Sequence, residues 1–141
     1  MSTQTAAKVE LKIPAQNEYV GVARLAIAGV ASRLKFTVDE IEDIKIAFSE
    51  ACANAVQYAY GGENPAKTID IACDLNGGVL HIEVTDHGKG FDYENPPKRE
   101  ESDEAHLGLG ITFMKSLMDE VKFEKVSGGG TKVTLVKKTK N

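Results

Sequence analysis

From Asp39 to Gly61 apolar side chains recur at three- and four-residue steps: Ile41, Ile44, Phe48, Ala51, Cys52, Ala55 and Ala59. At about 100° per residue these positions gather on one side, so the segment is predicted as a single long helix with that stripe in the core. Thr37 and Glu40 form a capping-box pattern ahead of it, and Gly61 and Gly62 supply the stop. Glu50 and Asn54 lie one turn apart on nearly the opposite side, with their side chains next to each other.

On either side of this helix the period changes. Val9, Leu11 and Ile13 alternate with Glu10 and Lys12, which predicts a half-buried strand ending at Pro14. Asn17 to Lys35 turns helical, with Val20, Ile27, Ala31 and Leu34 as its core stripe and Ala23, Ala26, Ala28 and Gly29 as a small-residue surface. Thr68 to Leu75 and Val79 to Val84 alternate again. Asn76, Gly77 and Gly78 between them have hairpin chemistry, so these two strands should pair antiparallel. Periodicity then fades from Phe91 to Leu107, an acidic stretch containing Pro96 and Pro97 that has the length of a functional lid. Phe113, Met114, Leu117 and Met118 place a helix over Ile111 to Val121, beginning at Gly108, Leu109 and Gly110. Val121 with Phe123, and Thr131 to Val136, complete the pattern as two strands across a glycine turn. Strands clustered in hairpins with helices between them predict an α+β two-layer sandwich. Three main helices should cover one face of a mixed, mostly antiparallel sheet, leaving the other face polar or covered.

Composition narrows the class without changing this picture. A chain of 141 residues suits one domain, 1–141, with a lid at about 91–109. With 17 basic against 21 acidic residues, a net charge of -4 argues against nucleic-acid binding. No apolar leader core opens the chain and Arg24 interrupts its longest apolar stretch, so the expected location is cytoplasmic, with no membrane contact. Cys52 and Cys73 lack a paired spacing and read as small buried hydrophobes, while His81, His87 and His106 are scattered, so no zinc site is expected.

Three short patterns carry candidate chemistry. Glu50 and Asn54 put a carboxylate beside a carboxamide. Asp86, Gly88 and Gly90 follow directly on a strand, and Gly108 and Gly110 precede a helix whose N–H groups favour phosphate. Each alone also suits an ordinary turn or a solvated helix face. Their order, separated by a hairpin and a lid, is more telling. It resembles the Bergerat-fold ATP site of the GHKL superfamily, which includes gyrase-type ATPases, MutL-type proteins and histidine kinases. Glu50 and Asn54 stand at the family's N box, Asp86 to Gly90 at its first glycine box, Gly108 to Gly110 at its second, and Gly130 with Thr131 at its closing strand motif. Outside the site, the segments PAQNEYVGVARLAIAGVASRL and LMDEVKF are similar to the anti-sigma factor serine kinases of the sigma-B and sigma-F type.

That resemblance implies ATP or ADP as ligand, with Mg²⁺. Asp86 would accept the exocyclic amine of adenine, where guanine presents an oxygen instead. Gly88 and Gly90 would let backbone approach the base, and Thr131 would support the same edge. Asn54 would offer its carbonyl oxygen to Mg²⁺. Glu50 would orient or deprotonate the attacking hydroxyl. Gly108, Leu109 and Gly110 would contact phosphate through backbone, because the lid is more acidic than basic. The implied function is a protein-serine kinase and anti-sigma factor acting on an anti-anti-sigma protein and a sigma factor. Arg24 would lie on the partner surface of a homodimer. A nucleotide-sensing binding module without useful transfer is the other class the sequence allows, and Glu50 favours the enzyme.

Overall fold

The computed structural model describes residues 8–89 and 103–140, with residues 103–106 described by their backbone. In chain order these form β1 (Lys8–Ala15), α1 (Asn17–Ala31), α2 (Val38–Asn54), a π turn (Ala55–Ala59), β2 (Asn64–Asn76), β3 (Val79–Asp86), α3 (Asp103–Leu117), β4 (Glu120–Lys125) and β5 (Thr131–Lys138). The strands make one five-stranded sheet in the order β1-β2-β3-β5-β4. All four described pairings are antiparallel, which sharpens the mixed, mostly antiparallel sheet expected. No described helix is long and apolar enough to cross a membrane.

Alternation along the strands decides which face the helices cover. Ile69, Ile71 and Cys73 of β2, Leu80, Ile82 and Val84 of β3, and Val133 and Leu135 of β5 are buried on one side. Ile27 of α1, Ile44 and Phe48 of α2 and Met114 of α3 pack onto them in a single cluster. Phe48 is fully buried at its centre, so Phe48→Ala would cost about 3–5 kcal/mol. The opposite face is polar. It carries half-buried pairs such as Lys132 with Glu83 at 3.8 Å and His81 with Asp74 at 3.5 Å, each open to water and worth little.

Local signals explain most boundaries. The Thr37 hydroxyl accepts the Glu40 N–H at 3.1 Å and the Glu40 carboxylate accepts the Thr37 N–H at 2.8 Å, closing the capping box that starts α2. Gly77 and Gly78 take positive φ of 59° and 78° between β2 and β3, the backbone a tight hairpin needs. Cys52 and Cys73 are free and buried, and burial pushes both thiols up.

Four expectations are corrected. α1 ends at Ala31, short of Lys35, because Arg33 and Leu34 bond back three residues, to Val30 and Ala31, and tighten the last turn. Ala23 belongs to the core and not to a small-residue surface. The long helix does not stay α-helical to Gly61, because after Asn54 its hydrogen bonds widen and the Tyr60 N–H reaches the Ala55 carbonyl. Finally, α3 starts at Asp103, so Gly108 and Gly110 lie inside a helix and not ahead of one.

Candidate nucleotide and phosphoryl-transfer site

Asp86 closes β3 on the buried face of the sheet, with only 2% of its surface exposed. Its Oδ1 accepts two backbone N–H groups, from Gly88 at 3.1 Å and from Thr131 at 3.2 Å. Burial pushes its pKa up, and these two bonds to the charged form pull the other way. Both bonds fall on Oδ1, so neither commits Oδ2. Thr131 meets Asp86 through its backbone N–H.

The neighbouring glycines matter through closeness. A Cβ on Gly130 would run into the Asp86 carbonyl oxygen, and one on Gly88 would run into the Ala59 carbonyl oxygen. Lys89 donates its N–H to that same Ala59 carbonyl at 3.2 Å. The turn after β3 is thereby held against the end of the π turn, and so against the helix that carries Glu50 and Asn54. π turns inside helices are frequent at functional sites. Gly90 lies outside the described residues.

Glu50 and Asn54 share one wall of a cleft of about 440 Å³, with Ala53, Gln57, Tyr58 and the α3 residues Leu109, Gly110 and Phe113. They are neighbours, as their spacing requires, yet they do not lie on a solvated flank. α3 runs along that side of α2, and a Cβ on Gly110 would meet the Glu50 carboxylate. Asn54 is 1% exposed and its Nδ2 has no hydrogen-bond partner among the described residues. An unpaired buried amide is costly. Amide oxygen and nitrogen are exchanged by a half-turn of the carboxamide, so this position can present an oxygen to a cation. No cluster of three metal-binding side chains occurs among the described residues. A cation here would rely on Asn54 together with phosphate and water oxygens, which is how Mg²⁺ is usually held. Burial raises the Glu50 pKa, making it a stronger base than a surface glutamate.

Glu50 also lines a second cleft, of about 450 Å³, whose other walls are Arg24, Glu42, Lys45, Ile46, Ser49 and Ala53. Arg24 reaches across from α1 to donate to the Ser49 hydroxyl at 3.0 Å, and Ser49 in turn donates to the Lys45 carbonyl at 2.8 Å. Exposed Ile46 lines it beside these charged groups, giving a surface with apolar and charged parts.

The structure thus groups Glu50 with Asn54 and Gly110, Asp86 with Gly88 and Thr131, and Arg24 with Glu50. Gly108 and Leu109 occupy helical positions whose N–H groups serve the helix ladder, so they do not present the open N-terminus the sequence suggested. Sequence reading gave no place in the site to Tyr60, His87 or Asp70, which meet at the turn after β3. Only the β2–β3 register, which sets Asp70 opposite Thr85, could have drawn attention to them.

Known proteins resemble this chain in sequence and in fold. The profile of the histidine kinase-like ATPase domain matches residues 13–137. The serine-protein kinase RsbW of Bacillus subtilis is 43% identical over 128 residues, covering 85% of this chain and 79% of that protein. RsbW of Bacillus pumilus is 41% identical over 136 residues, covering 89% and 83%. Among solved structures, the RsbU and RsbW domains of a Mycobacterium tuberculosis protein superpose with a TM-score of 0.68 at 21% identity, covering 94% of this chain and 32% of that one. A histidine kinase domain of a blue-light activated kinase from Erythrobacter litoralis gives 0.53 at 22% identity, covering 96% and 69%. These two show the fold.

Proposed function

The chain belongs to the histidine kinase-like ATPase domain family and, within it, to the RsbW serine-protein kinases, and from that premise we propose how its residues divide the work. It is an ATP-dependent serine-protein kinase and anti-sigma factor that phosphorylates a serine of an anti-anti-sigma protein and sequesters a sigma factor. It acts in the cytoplasm as a homodimer, through a single domain over 1–141 with a lid at about 91–109, of which 91–102 lie outside the described residues and 103–109 open α3.

Asp86 reads adenine by accepting its exocyclic amine, and Gly88, Gly90 and Thr131 shape that end of the pocket. Asn54 holds Mg²⁺, which when bound offsets phosphate charge. Glu50 takes the proton of the acceptor serine as its oxygen bonds to the γ-phosphorus and the bond to the β–γ bridging oxygen breaks, releasing ADP. Gly108, Leu109 and Gly110 contact phosphate through backbone N–H groups, which requires those groups to leave their helical bonds. Arg24 contacts the protein partners.

One observation carries this reading: Glu50 is a wall of both clefts, one shared with Asn54 and the other with Arg24. A base for protein phosphorylation has to stand where nucleotide and protein substrate meet. The test is incubation with γ-labelled ATP, Mg²⁺ and the anti-anti-sigma partner. Label is expected on one partner serine and lost when that serine becomes alanine. ATP binding without any label on the partner would remove the kinase and leave a nucleotide-sensing module.

A further inference from the structure

We infer that Tyr60 is a positioning residue for nucleotide binding, its hydroxyl fastening the turn that follows Asp86 to strand β2. This deepens the ATP-site proposal above and rests on it. The Tyr60 hydroxyl donates to the Thr68 carbonyl at 2.5 Å and accepts the His87 N–H at 2.8 Å. His87 is the residue after Asp86, and its ring Nε2 pairs with Asp70 Oδ2 at 2.7 Å. The Tyr60 ring lies against Gly88, with Cδ1 3.0 Å from where a Cβ would stand. Gly88 then donates to Asp86 Oδ1. Thr68, Tyr60 and Asp70 therefore hold His87 and Gly88, the two residues that follow Asp86, and the second of these donates to its carboxylate.

The π turn is what brings Tyr60 there. Its extra residue rotates everything that follows by about 100° relative to a continuing α-helix. Tyr60 leaves the helix line and turns its hydroxyl toward β2 and β3, while the Ala59 carbonyl receives Lys89. Burial and the nearby Asp86 and Asp70 hold the phenol above its ordinary pKa, so it remains a donor throughout the neutral range. Tyr60 is only half-buried and borders the core, so its hydroxyl can be removed without opening a cavity.

The experiment is titration of wild type, Tyr60→Phe and Asp70→Asn with Mg·ATP and Mg·GTP, alongside thermal melts and transfer kinetics. Tyr60→Phe keeps the ring and frees the turn, and is expected to weaken ATP binding about tenfold, equivalent to about 1.4 kcal/mol. KM for ATP should rise in parallel, kcat should stay within about twofold, and the ATP-over-GTP preference should narrow. Asp70→Asn loosens the outer end of the same chain of contacts and should move affinity the same way by about threefold. A lower melting temperature with ATP affinity and base preference unchanged would overturn the inference and leave Tyr60 a structural residue. If Tyr60→Phe does not fold, Asp70→Asn decides, and unchanged ATP affinity there would overturn it. Wild type that binds no ATP would instead bring down the ATP-site proposal itself.

Discussion

The two ends of the candidate site are built differently. At the Asp86 end the protein itself completes the site: two backbone N–H groups on the carboxylate, Gly130 and Gly88 packed too closely for any side chain, Lys89 bonded to Ala59, and the Tyr60 hydroxyl bonded to the His87 N–H. At the Glu50 end the polar groups lack such company. Asn54 has an unpaired Nδ2, Glu50 is raised in pKa by burial, and Leu109 and Phe113 stand 65% and 48% exposed beside them. The difference is that between a recognition end made in advance and a reacting end that a ligand must complete. Buried polar groups left unpaired by the chain are where ligand atoms gain most, because binding removes a desolvation cost already present.

The largest effect is expected at the reacting end. Glu50→Gln should lower transfer to the partner serine by about 10²–10⁴-fold while ATP affinity stays unchanged, checked by single-turnover kinetics beside calorimetry. Asp86→Asn tests the recognition end and should weaken ATP by about 10²-fold. Stability should move the other way. The folded-state pKa of Asp86 is raised, so stability falls as pH rises from the ordinary aspartate value through the raised one, and the whole cost is present above it. Asn removes that cost, so melting at neutral pH should rise or hold. Asn54→Ala should weaken Mg²⁺-dependent ATP binding and transfer together by about tenfold, read from a magnesium titration. It should also remove the unpaired amide, so a large loss of stability would contradict the contrast between the ends. The smallest effect lies outside the site: Thr37→Ala should cost about 1 kcal/mol of stability, seen in denaturant melts, with ATP affinity unchanged.

Much of this was legible in the sequence, for reasons that differ by feature. Strand alternation, the Thr37 capping box and the Gly77–Gly78 hairpin are local signals, and the element order they predict is the order found. Asp86 was legible as an acid directly after an alternating strand and followed by glycines. The burial of Asn54 was not. One helix's periodicity records its own core stripe, while the cleft that Asn54 lines is closed by α3, which comes from much further along the chain. The start of α3 was missed because the acidic residues of 103–106 carry no apolar stripe. Sequence spacing also gives no warning of the π turn, which depends on where the chain must go next, onto β2.

The most direct test of the central claim, that Glu50 is the base, is the pH dependence of single-turnover transfer at saturating Mg·ATP and partner. Burial raises the Glu50 pKa, so the base is lost as pH falls through a value above the ordinary glutamate range. The account predicts a rate that falls on the acid side with an apparent pKa in that raised range, and residual transfer in Glu50→Gln that lacks this limb. The same limb in both proteins, with similar rates at neutral pH, would contradict it.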